Sequence, residues 1–194
     1  MKKALIALVL SFWASVASAQ NVNTDFEAFP AATTAEALTV PGATFAGTPA
    51  GSWTVQTLAP PGNFGLVSAN ALYSNGGPPL TVDFAPGHSA YSFDFATNPL
   101  ANVQVTGYRD GVLVFTHTYA GAIPPGIAFP EGTAAAAGTI FDRLVIQNLG
   151  GGEIAIDNLA AVGASTIPTL SQWGLILLAG LMGLGAFATM RRQG

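Results

Sequence analysis

The chain has 194 residues, no cysteine, and six Lys or Arg against ten Asp or Glu. All ten acids lie between Asp25 and Asp157, where Arg109 and Arg143 are the only Lys or Arg residues, so the middle of the chain carries a net charge of −8. Such a surface presents no basic patch to phosphates, which excludes nucleic acid and anionic lipid headgroups as partners, and without disulfides the fold must rest on an apolar core.

The first 19 residues, MKKALIALVLSFWASVASA, set Lys2 and Lys3 before an apolar run from Ala4 to Val16 and close on Ala17-Ser18-Ala19. These are the three parts of a secretory signal peptide, cut by signal peptidase after Ala19. The apolar run is too short for a membrane anchor.

From Asn21 to Gly163 helical periodicity is absent, and short alternating segments recur between Gly and Pro clusters. TDFEAF opens the region with Asp25 and Glu27 on one side of a strand. LTVDFA sets Val82 and Phe84 against Asp83, and AYSFDFA sets Tyr91, Phe93 and Phe95 against Ser92 and Asp94. VQVTGYRDGVLVFTHTY predicts two strands joined at Asp110-Gly111, a strong hairpin signal. FDRLVIQN and GEIAIDNLAAV supply two more, separated by Gly150-Gly151-Gly152. NGGPP, APGH and GAIPPG are predicted turns, and TAAAAGT, Thr133 to Thr139, is predicted as a loop ending near Gly138. Many short strands without helices predict an all-β, jelly-roll-like β-sandwich over residues 20–164.

No G-x-S-x-G, H-E-x-x-H or cysteine nucleophile occurs, so the domain is expected to be non-catalytic. His88 falls in a predicted turn, and His117 shares a strand face with Phe115 and Tyr119; each is expected to be solvated or packed. A glycoside-active enzyme would need two carboxylates from separate strands. Two other roles stay open: a carbohydrate-binding module using Trp53, Tyr73 or Tyr108 as stacking rings, with surface polysaccharide as partner, and a structural envelope protein. If first and last strands adjoin, Asp25 and Glu27 could meet Asp157 and Asn158 in a set of oxygens suited to a structural calcium ion.

Residues 165–194 form the tail. Gly174 to Met190 is uncharged, near the lower length limit for a transmembrane helix. Trp173 stands at one end and Arg191 and Arg192 at the other. An interfacial aromatic and cytoplasmic arginines orient such a helix across the inner membrane with the ectodomain outside.

Ile167-Pro168-Thr169-Leu170-Ser171-Gln172-Trp173-Gly174, then an apolar helix, then arginines, resembles the IPTL-CTERM sorting signal, whose matching positions are Ile167, Pro168, Thr169, Leu170, Trp173 and Gly174. The resemblance covers only the tail. It implies an exosortase-type membrane transpeptidase as partner, a transient stay in the inner membrane, and a mature form at the cell surface or outside the cell. Pro168 lacks an amide donor and biases Ile167 towards an extended conformation, which keeps the motif out of the helix and within an enzyme's reach. The opening DFE, the GYRDGVLV hairpin and the closing AIDNL also look like the lectin-like sandwich domains of exported sorting-signal proteins.

Overall fold

The computed structural model describes residues 20–58, 63–67 and 69–164, together with Met182. Ala17, Ala19, the motif from Ile167 to Gly174, the apolar segment 174–190 as a helix, and Arg191 and Arg192 therefore lie outside the described residues. Among the described residues no helix is long and apolar enough to cross a membrane.

The described domain is all-β. Its strands are β1 (Val22–Thr24), β2 (Ala43–Gly47), β3 (Thr54–Thr57), β4 (Asn70–Ser74), β5 (Leu80–Asn98), β6 (Asn102–Arg109), β7 (Val112–Ala120), β8 (Glu131–Asn148) and β9 (Glu153–Gly163). They join in a single antiparallel sheet of order β3-β4-β9-β5-β8-β6-β7, with β1 added on β9 and β2 on β5. Val55 of β3 and Val103 and Val105 of β6 stand near opposite ends of that order, yet share one buried cluster with Phe45, Phe93 and Ile156. The sheet therefore curls over a common core.

β5 and β8 are long enough to follow the curl. The sequence predicts a turn at APGH between two strands, but β5 runs unbroken from Leu80 to Asn98 and takes up the extra residues as register shifts between Asp83 and His88 and between His88 and Ala90. Bulges bend a strand without ending it, which suits a sheet that must curl. His88 is accordingly buried, with Nε2 2.9 Å from the Gln20 carbonyl oxygen and its ring close to those of Phe84 and Phe141.

A second correction concerns TAAAAGT, which belongs to β8 and is no loop. Ala134, Ala135 and Ala136 lie opposite Phe93, Ser92 and Tyr91 of β5. Alanine is a poor strand former alone, but cross-strand packing against large rings outweighs that preference. The Asp110-Gly111 hairpin forms as expected, with φ of 51° and 77° at its two turn residues, the combination that a two-residue turn between twisted strands requires.

Candidate functional site

The face of the sheet turned away from the main core is partly covered by the segments between β3 and β4 and between β7 and β8. The N–H of Ala128 donates to the carbonyl of Asn63 at 3.1 Å, tying the two segments together. Glu131, 3% exposed, accepts the N–H groups of Gly65 at 2.8 Å and Leu66 at 3.0 Å. A buried carboxylate is tolerated only when it is hydrogen-bonded, and these N–H groups supply partners. Beneath the cover, Val67, Ala71, Ala96 and Ala155 form a small second core.

Beside this cover opens a cleft of about 220 Å³. One wall is aromatic: Phe64 and Phe129 stack with centroids 4.8 Å apart and planes 8° from parallel. The other wall is polar. Tyr73 Oη donates to Glu153 Oε1 at 2.7 Å, and Asn98 Nδ2 donates to Glu153 Oε2 at 2.8 Å. Strand register sets this up, because Tyr73 pairs with Ala155 and Asn98 pairs with Glu153, which puts the three polar side chains on one face.

The β8–β9 turn fixes Glu153 further. Asn148, 1% exposed, donates from Nδ2 to the carbonyls of Gly152 at 3.2 Å and Glu153 at 3.0 Å, and accepts the N–H of Gly150 at 2.9 Å. Gly152 passes so close to the Asn98 carbonyl that a Cβ there would collide with it. Only glycine lets the chain reach Glu153 by this route.

Protonation follows from the same contacts. The hydrogen bond from Tyr73, then that from Asn98, holds the Glu153 carboxyl below its ordinary value. Burial, with the Glu153 hydrogen bond and charge behind it, pushes the Tyr73 phenol up to about 12. At neutral pH the wall thus presents an ionised carboxylate oriented by two neutral donors. Among the described residues lining the cleft, Glu153 is the single charged side chain.

The sequence-derived candidates divide. Tyr73 lines the cleft, whereas Trp53 is fully buried, its indole N–H donating to the Pro78 carbonyl at 3.0 Å, and presents no ring to a ligand. Tyr108 lies on β6, away from the cleft lining. His117 does share a face with Phe115 and Tyr119, stacking on Phe115 with Nδ1 3.1 Å from Tyr91 Oη.

For the calcium set, the first and last strands are neighbours, Thr24 pairing with Leu159. Asp25 and Glu27, however, follow β1 in an exposed turn where Phe26 has a φ of 59°, instead of sharing a strand face. Asp25 Oδ1 accepts the N–H of Glu27, and Glu27 Oε1 accepts that of Asn70. Asp157 is fully buried opposite Asp94, and Asn158 Nδ2 donates to Asp94 Oδ2 at 3.0 Å. Among the described residues no group of three or more His, Cys, Asp or Glu side chains could hold a metal ion.

Phe64, Asn98, Phe129 and Glu153 were not singled out by sequence reasoning. Each comes from a different segment, and each sits in an unremarkable local context, such as a Pro following Asn98 or the glycine run preceding Glu153.

Comparison with known proteins gives one match to a family and several to solved structures. A mutant form of a family 29 carbohydrate-binding module studied for ligand recognition is similar at 16% identity over 61% of this chain and 90% of that one, with a TM-score of 0.37. A mutant of a family 29 module is similar at 14% identity over 73% and 92%, with a TM-score of 0.40. A fucose binding module from Streptococcus pneumoniae is similar at 10% identity over 49% and 73%, with a TM-score of 0.37. No curated protein matches the chain. Residues 166–192 carry the IPTL-CTERM motif.

Proposed function

We propose that the protein is an exported precursor, delivered through its C-terminal sorting signal to the cell surface or the extracellular matrix, where a jelly-roll-type β-sandwich binds carbohydrate without transforming it. The IPTL-CTERM motif at residues 166–192 supports the sorting route and an exosortase-type transpeptidase as its reader. The ectodomain role rests on one observation: an aromatic wall, Phe64 on Phe129, faces an oriented polar wall of Tyr73, Asn98 and Glu153 across the cleft.

Sugars need both kinds of wall. Their C–H faces lie on aromatic rings, and their hydroxyls need acceptors and donors fixed in advance. A lone lining carboxylate held by two donors suits binding, since hydrolysis of a glycosidic bond calls for a second carboxylate across the bond. The test is titration of the full-length protein, in a detergent without a sugar headgroup, against a panel of oligosaccharides. At least one should bind, and Phe64→Ala should weaken it about tenfold, or about 1.4 kcal/mol, with the circular dichroism spectrum unchanged. Binding that Phe64→Ala leaves intact would contradict the site.

A second reading has its own observation. β7 ends the sheet order, and Val112, Leu113 and Val114 at its start are 66%, 56% and 36% exposed. An uncharged apolar edge can pair with another strand. Concentration-dependent self-association together with no glycan binding would favour a structural envelope role.

A further inference from the structure

We propose that the cleft selects an amino sugar bearing a free ammonium group, with the ammonium against Glu153 and the apolar face of the ring towards the Phe64–Phe129 wall. This rests on the carbohydrate reading and narrows it to a chemical class.

The polar wall is built around an acceptor. Each oxygen of Glu153 already receives one donor, Tyr73 on one and Asn98 on the other, and each keeps a lone pair for a ligand. Both donors are neutral, so they orient the carboxylate without cancelling its charge. The cations of the central region are committed elsewhere: Arg143 to Asp83, and Arg109 to the neighbourhood of Asp110 at 3.9 Å. A ligand hydroxyl could donate to Glu153, but an ammonium donates and also supplies the missing positive charge, and charge-assisted hydrogen bonds are about twice as strong as neutral ones.

The rest of the cleft agrees with a cation. Aromatic faces attract ammonium groups through the ring quadrupole, and Tyr73, Phe64 and Phe129 all line the space. The acidic surface, net −8 across the middle of the chain, raises the local concentration of cationic ligands and repels uronates and other anionic sugars. A volume of about 220 Å³ suits one or two rings of a chain rather than a long groove.

The experiment compares three β-1,4-linked trisaccharides on the full-length protein at about 0.15 M salt, where long-range attraction is screened: glucosamine, N-acetylglucosamine and glucose. The glucosamine trimer should bind about tenfold more tightly than the other two. Glu153→Gln should abolish that preference, so that the glucosamine trimer binds this variant no more tightly than the neutral trimers do. Asp110→Asn removes one charge from the distant hairpin turn and should leave the preference as it is.

Equal binding of all three trimers, a preference that survives Glu153→Gln, or one that Asp110→Asn removes equally would overturn the amino-sugar assignment and leave the carbohydrate reading standing. Failure of every sugar to bind overturns both.

Discussion

Replacing Pro168 and Thr169 together by alanine is expected to trap the protein as a full-length, membrane-bound precursor, with close to complete loss of the mature form. The IPTL-CTERM match covers residues 166–192, and within it Ile167 to Gly174 precede an uncharged stretch that is followed by Arg191 and Arg192. On the proposed sorting reading, proline at position 168 denies the backbone one amide donor and biases position 167 towards an extended conformation, so the segment would resist being drawn into a downstream apolar helix. Alanine reverses both effects, since it is the best helix former. A helix over the apolar stretch, as that reading requires, would then be free to continue upstream and take the cleavage site out of reach. Deleting Arg191 and Arg192 should trap the precursor by a different route, because in the proposed topology those charges would hold the cytoplasmic end in place. Fractionation and immunoblotting in the native host provide the readout. A double-alanine variant that is released from the membrane as efficiently as the parent would contradict the sorting account.

The second large effect is on stability. Trp53→Ala should cost about 3–5 kcal/mol, the range for removing a large buried aromatic. Trp53 is 0% exposed, packs in the main core beside β3, and gives its indole N–H to the Pro78 carbonyl. Truncation leaves a cavity and removes the hydrogen bond to the partly buried Pro78 carbonyl. Against a typical total of about 5–15 kcal/mol, that is a large share, and it should lower the melting temperature by roughly 6–20 °C. The prediction separates two roles for the same ring. A sugar-stacking tryptophan would lose binding on truncation and leave the melt nearly unchanged, so a cost under about 1 kcal/mol would show that the ring is not a core residue.

How much of this was legible in the sequence depended on how local its cause was. The Asp110-Gly111 hairpin could be read directly, because its turn chemistry is confined to two residues that both adopt positive φ. The alternation of Tyr91, Phe93 and Phe95 was equally plain, and those three are 3%, 1% and 0% exposed. APGH misled because Pro and Gly mark turns and bulges alike, and only the neighbouring strands decide between them. TAAAAGT misled because the partners that stabilise it, Tyr91 and Phe93, lie about 40 residues away. Trp53 had a readable clue, since Val55 two residues on points the same way and is equally buried.

The cleft was the least legible part. Phe64, Tyr73, Asn98, Phe129 and Glu153 come from five segments, and none of their neighbourhoods forms a motif. What brings them together is the register of β4, β5 and β9, the tie from Ala128 to Asn63, and the close passage of Gly152 past Asn98. Those are long-range facts. Glu131 makes the same point: it is buried because distant backbone N–H groups of Gly65 and Leu66 supply its partners.

The central claim, that this chain is a precursor processed at both ends and displayed outside the cell, is tested most directly by the intact mass of the native protein recovered from the cell surface or medium. The expected mature chain begins at Gln20 and ends within the sorting motif, without the stretch from Gly174 to Met190 and without Arg191 and Arg192. A surface-exposed protein whose mass still includes Met190 and both arginines would contradict it.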